Sequence, residues 1–166
     1  MFNANWSYHT TLYLSDEEIE SKYNYFLVDE GDLIIASSGI KVDYFDKKIA
    51  FAQKEHLPLC MNTSTIRFKS LNKGILDLRY FYYFLKTDIM KRQIEYCITG
   101  SAQLNFGPSH LCKMKAIVPP LEIQKKIVEI LERAEKALEK RKEAIKLLDE
   151  LVKSRFIEMF GDPVTN

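Results

Sequence analysis

Residues 121–160 contain neither Gly nor Pro. A stretch of that length without a backbone breaker, rich in Glu, Lys, Leu, Ile and Ala, has few alternatives to a single helix. Stepping alternately four and three residues from Ile127 gives Ile127, Leu131, Ala134, Leu138, Arg141, Ile145, Leu148 and Val152. Seven of these eight are apolar, so the pattern repeats every 3.5 residues, which is the seam of a coiled coil. The spacing predicts one helix from Leu121 to Phe160, about 60 Å long at ~1.5 Å per residue. Pro120 suits the first helical position, where a missing N–H costs nothing. Gly161 suits the stop, with Asp162-Pro163 beyond it. One such helix does not bury its seam against itself. It needs a companion helix, from its own chain, a second copy or another protein, or else it lies along its own domain. Arg141 interrupts the seam. A cation there sets register or orientation by meeting a carboxylate, or lays its stem along the seam with its head in water.

Ahead of Pro119-Pro120 the character changes. Apolar stretches are short and separated by turn signals, so the chain divides into a globular part at 1–118 and the helical segment at 119–166. Ser15-Asp16-Glu17-Glu18 reads as a capping box opening a short helix through Tyr23. Residues 25–28 and 33–36, around the link Asp29-Glu30-Gly31-Asp32, read as strand, turn and strand. Residues 44–53 and 62–69 read as further strands. In the latter, Thr63, Thr65, Arg67 and Lys69 alternate with Asn62, Ser64, Ile66 and Phe68. From Asp77, a plausible N-cap, the period becomes helical, with a break at Thr87-Asp88. A polar loop, GSAQLNFGPSH, occupies 100–110, and Met114 to Val118 reads as a last short strand. The fold class is α+β, a compact sheet-and-helix domain followed by one long coiled-coil-type helix.

Composition excludes several classes. Among the 166 residues, 46% are hydrophobic and 28% charged, with only 6 Gly and 5 Pro, so the chain is neither disordered nor low-complexity. No apolar run reaches the ~18 residues that cross a bilayer, and no basic-then-apolar leader opens the chain, so a soluble, cytoplasmic protein without membrane attachment is expected. Three cysteines without a CxxC pair give no disulfide framework. The spacings His56/Cys60 and His110/Cys112 complete no zinc set. Net charge is +1, but residues 1–40 carry one Lys against seven Asp/Glu while 41–92 carry eleven Lys/Arg against five. That central stretch is a candidate basic face for phosphate, or a solvated surface of mixed charge.

No catalytic constellation stands out. There is no GxGxxG, GxxxxGK[ST], GxSxG or HExxH, and Pro119-Pro120 lacks the flanking residues of an adenine-methylating site. The expectation is a binding module with no catalytic residue, cofactor or metal.

The run GSAQLNF at 100–106 followed by KAIVPPLEIQKKIVEIL at 115–131 resembles the specificity subunit of type I restriction–modification systems. In that family a target-recognition domain ends in a Gly-x-x-Gln-x-Asn loop, then a strand, a Pro-Pro-Leu-Glu-x-Gln signature and a long helix. Leu12 to Glu20 with Gly31-Asp32-Leu33-Ile34-Ile35, the aromatic run Tyr80 to Leu85, and RFIEMFGDP at 155–163 are similar to further parts of the family pattern. The resemblance covers nearly the whole chain but only about half of a usual subunit, which carries two recognition domains and two antiparallel spacer helices. It also implies that the family's opening strand is missing before Trp6.

The resemblance implies sequence-specific recognition of double-stranded DNA, with a methyltransferase subunit and, through it, a restriction/translocase subunit as partners. The helix would pair with itself or with a second half-subunit. Candidates for phosphate contact are Lys41, Lys47, Lys48, Arg67, Lys69 and Lys73. Ser101, Gln103 and Asn105 suit base edges; equally, Gly100 permits a tight turn and the amides cap backbone. The competing expectations are an assembly protein that binds the methyltransferase through its helix without reading DNA, and a small DNA-modifying enzyme.

Overall fold

The computed structural model describes residues 14–40, 42–97 and 104–161. The chain divides into two compact units, Met1–Gln124 and Lys125–Asn166. In the first, strand β1 (Leu33–Ala36) is central in a three-stranded antiparallel sheet, between β3 (Ile49–Phe51) and β4 (Thr65–Phe68). Short strands β2 (Ser38–Ile40) and β5 (Leu104–Asn105) form a separate pair. The register sets Leu33 against Phe51 and Phe68, and Ile34 against Ala50 and Arg67. Because side chains alternate across a pleat, Leu33, Phe51 and Phe68 share one face, and Ile34, Ala50 and Arg67 the other.

Both faces of β1 are covered, which is why Leu33, Ile34 and Ile35 form an unbroken apolar run rather than an alternating one. On the first face lies helix α2 (Leu78–Leu85), whose Tyr82 and Phe81 rings sit 5.6 and 5.2 Å from those of Phe51 and Phe68. On the second, Ile34 packs with Val28 and Ala52, and Leu57, Leu59 and Met61 close over them. Burying a side chain of this size stabilises the fold by about 1.5–3 kcal/mol. As the local signals predict, Asp77 caps α2 by accepting from Arg79 N–H. Thr87 separates α2 from α3 (Asp88–Cys97), its hydroxyl donating to the Phe84 carbonyl. The Ser15–Glu18 capping box is present, over α1 (Asp16–Glu18), and the chain continues as a wider π-helical turn to Tyr23.

Four expected strands are altered. Residues 24–26 form a 3-10 turn, and only Leu27 bridges to Cys60. The backbone there bonds to Leu59 and Phe26–Met61 partners rather than to β1. Residues 42–48 wind into a 3-10 helix, so the strand predicted over 44–53 is reduced to β3. The strand predicted over 62–69 starts at Thr65, because Asn62 Oδ1 accepts from Ser64 N–H and Thr65 Oγ1 and holds a turn ahead of it. Met114–Val118 is extended but belongs to no strand. The Gln93 side-chain amide takes the place of a neighbouring strand, donating to Lys115 C=O and accepting from Lys115 N–H at 2.9 and 2.7 Å.

After the short helix α4 (Pro108–Leu111), the long helix α5 runs Leu121–Phe160, with the predicted bounds, and Gly161 adopts φ +80 at its end. Pro120 sits one residue earlier than expected. Its carbonyl accepts from Ile123 and Gln124 N–H, so it is the N-cap. Gln124, in the first unit, is fully buried. Its Nε2 donates to the Ile75 and Pro119 carbonyls at 2.8 and 2.7 Å, and its Oε1 accepts from Asp77 N–H at 2.9 Å. One amide therefore ties the entry to α2, the loop before it and the proline pair together, using three of its hydrogen-bonding positions.

Candidate nucleic-acid interface

The strand directions separate the predicted phosphate contacts into two groups. β1 runs toward Ala36, and its antiparallel neighbours begin where it ends, β3 at Ile49 beside Ile35 and β4 at Thr65 beside Ala36. Lys47 and Lys48 immediately precede Ile49 and are exposed. The Asn62–Ser64 turn immediately precedes Thr65. Ser37 N–H donates to the Ser64 carbonyl at 2.8 Å, and Phe106 N–H donates to the Ser37 carbonyl at 3.0 Å. β5 pairs Asn105 with Ser38. One end of the sheet thus gathers two exposed lysines, an exposed threonine and serine (Thr63, Ser38), and the backbone of Asn105.

The lysines are presented by the 3-10 helix that replaced the expected strand. Residues three apart eclipse in a 3-10 helix, so the Lys47 ammonium stands 5.0 Å from the centre of the exposed Tyr44 ring. That contact orients the cation without neutralising it. Phe45, on the opposite side of the turn, is fully buried and packs against Phe106 at 5.8 Å. Asp46 faces Lys91 at 3.8 Å. Tyr44 was not among the residues singled out from the sequence. The i, i+3 spacing of Tyr44 and Lys47 was the available signal, obscured by reading a strand.

The other end of the sheet uses its cations internally. Arg67 is half-buried on the second face, its side chain 12% exposed. It donates to the Leu27 carbonyl and, at 2.9 Å, to the Tyr25 carbonyl, and lies 3.7 Å from Asp32. Lys69 is hydrogen-bonded to Asp29 and lies 3.7 Å from Asp32. The Lys69 ammonium holds the Asp29 carboxyl below its ordinary pKa, through the hydrogen bond first and its charge second. Both were expected to meet phosphate. The structure gives Arg67 a different use, since a guanidinium committed to two carbonyls and a carboxylate has little left to offer a ligand. Two carboxylates, Asp29 and Asp32, attend these two cations and offset their charge. Lys73 is exposed in the loop that follows β4. Lys41, Ser101 and Gln103 lie outside the described residues, and Asn105 is described by its backbone alone.

His110 and Cys112 are also accounted for separately. His110 Nδ1 accepts from Gly107 N–H at 3.2 Å, and Cys112 is exposed. Among the described residues no three metal-ligating side chains come together, and no helix is long and apolar enough to cross a membrane.

In the second unit the helix carries the seam in the open. Ala134, Leu138, Arg141, Ile145, Leu148 and Val152 are all exposed, whereas Ile127 and Leu131 are half-buried. Leu138, Ile145, Leu148 and Val152 each leave more than half of their surface in solvent. Ile130, Ala137, Ala144 and Leu151 form a second row beside the seam. A face this wide and apolar on a lone helix is a surface for other helices.

A sheet domain with a basic end, joined to a long helix with an open apolar face, is the arrangement that the sequence resemblance implies. The family model described as type I restriction modification DNA specificity domain matches residues 2–147, which takes in the whole sheet, both its ends and most of α5. No individual curated protein sequence matches the chain. The chain belongs to the type I restriction–modification DNA specificity family, whose members recognise DNA sequence and associate with methyltransferase subunits.

Proposed function

We propose that this chain is half of a specificity subunit, made of one DNA-reading domain and one spacer helix. Its division of labour follows the proline pair, with 1–118 reading and 119–166 spacing. Lys47 and Lys48 neutralise phosphates of duplex DNA and set position. Ser101, Gln103 and Asn105 read base edges, where an amide pairs with adenine through two hydrogen bonds. The helix pairs with a second helix, so that two reading domains address the two parts of a split target across an unread spacer. Identical halves predict inverted half-sites. The methyltransferase subunits bind alongside, with the restriction/translocase subunit reached through them. They contribute the chemistry, and this chain contributes the address.

The observation that carries this reading is the convergence at one sheet end of two exposed lysines and the β5 backbone. Fluorescence anisotropy with duplex DNA at increasing salt tests it. A reader prefers some sequences over others, and its affinity falls steeply as salt rises. Equal affinity for all duplexes, or none at micromolar protein, rejects it. The exposed helix favours a second reading, an assembly protein that binds the methyltransferase and ignores DNA. Capture of methyltransferase by a chain that fails the salt series would establish that reading instead.

A further inference from the structure

The turn that carries Lys47 and Lys48 is long for its type. A 3-10 helix has poorer hydrogen-bond geometry than an α-helix and seldom extends past three or four residues. This one runs seven, Val42–Lys48. Side chains must therefore help to hold it. With three residues per turn it has three faces. Phe45 occupies one, fully buried and 5.8 Å from the Phe106 ring. Asp46 occupies the next and stands 3.8 Å from Lys91 of α3. Tyr44 and Lys47 share the third, in solvent. Once the first two faces are fixed, the direction of the third is fixed with them.

The contact made by Asp46 has a cost that Phe45 does not carry. Its Oδ1 is cut off from solvent and accepts no hydrogen bond among the described residues. A carboxylate oxygen stripped of water without a donor is destabilising, and the Lys91 ammonium offsets this by its charge. Lys91 itself is firmly placed. Its neighbours Met90 and Ile94 are buried, and the N–H groups of Met90 and Lys91 both donate to the Thr87 carbonyl at 3.1 Å. Gln93 grips both backbone groups of Lys115. A partly exposed ion pair of this kind adds little to global stability. On charge alone, moreover, an acid next to Lys47 and Lys48 works against phosphate.

We infer that Asp46 is a positioning residue for DNA binding: tethered to Lys91, it fixes the rotation of the 3-10 turn and so aims Lys47 and Lys48 at phosphate. The inference rests on the phosphate role proposed above for those two lysines and adds what holds them in place. Its consequence has the opposite sign to simple electrostatics. Removing an acid from a DNA-binding face should here weaken binding.

The test is fluorescence anisotropy of the full chain with a fluorescein-labelled duplex of mixed sequence, across a salt series. Asp46→Ala is expected to weaken binding about fivefold and to flatten the salt slope by about one. In a Lys91→Met background the same substitution has no tether to cut, so affinity should hold or rise. Asp46→Lys with Lys91→Asp rebuilds the pair at the same net charge and should bind within about twofold of the native chain. Unchanged or tighter binding by Asp46→Ala, or a swap no better than Asp46→Ala, overturns the inference and leaves the lysines' role standing. Equal weakening by Asp46→Ala in both backgrounds also overturns it, since the effect then does not pass through Lys91. Native affinity in Lys47→Ala with Lys48→Ala overturns both the inference and the phosphate role beneath it. Circular dichroism sets a temperature at which every variant is folded. Asp46→Asn, which keeps the side chain's shape, replaces Asp46→Ala if the latter does not fold, with the same expected direction.

Discussion

The two ends of the three-stranded sheet are built from the same kinds of residue and do opposite things. At one end Lys47 and Lys48 leave a 3-10 turn exposed, one of them held over an aromatic ring. At the other, Arg67 and Lys69 are bound to Asp29, Asp32 and two backbone carbonyls. The ends are only about 10 Å apart along a four-residue strand. A positive charge therefore says little about a phosphate site until its partners are known. The cation must be exposed and must not already be engaged.

The comparison is broken or sharpened by substitutions at each end. The largest effect is expected from Arg67→Ala, which leaves the Leu27 and Tyr25 carbonyls without their donor and takes one of two cations from the largely buried Asp32 carboxylate. It should lower stability by about 2–4 kcal/mol in urea unfolding. At a temperature where the variant is folded, the salt dependence of DNA binding should be unaltered. A slope shallower by about one would put Arg67 on phosphate and erase the distinction between the ends.

Next comes Lys47→Ala with Lys48→Ala. Affinity should fall about thirtyfold, roughly 2 kcal/mol, across all duplex sequences, and the salt slope should flatten by about two. Stability should move by no more than about 0.5 kcal/mol, as for other exposed positions. Preserved affinity in this variant would remove the basic end from the interface. Asn62→Ala should cost about 1 kcal/mol of stability, because the turn that starts β4 loses its two side-chain hydrogen bonds. Its effect on binding reports how far the turn shapes the site.

The smallest effect concerns acid. Asp29 has its carboxyl pKa lowered by Lys69, so its contribution to stability is present above the unfolded value near 3.8 and is lost as pH falls through the lower folded value. Asp29→Asn should remove this small contribution at neutral pH and flatten the stability profile in the acid window, leaving stability below that window unchanged. An unaltered acid profile would mean that the Lys69–Asp29 pair is not formed in solution.

Local signals in the sequence were read correctly where they act over a few residues. Asp77 as a cap, Thr87 as a break, the Ser15–Glu18 box, and Leu121 and Phe160 as helix bounds all depend on neighbours within one turn. Less is legible where partners are distant. The alternation around Arg67 told which strand face it occupies, but the segments covering that face lie about 40 residues away in sequence. Gln124 stood in a recognisable run, yet its function as a buried tie depends on Ile75 and Asp77, nearly 50 residues earlier. The strand expected over 44–53 gives way to the 3-10 turn as far as Lys48, because Tyr44 and Phe45 favour strands on propensity alone while burial of Phe45 decides otherwise.

The sequence by itself determined the long helix, its seam and its termini, because periodicity and backbone breakers are properties of the local chain. It also determined the α+β class and the family. The tertiary structure alone decided which of several similar lysines and arginines are engaged inside the protein, because engagement depends on which carboxylates and carbonyls the fold brings within ~3–4 Å of each cation. No local pattern encodes that.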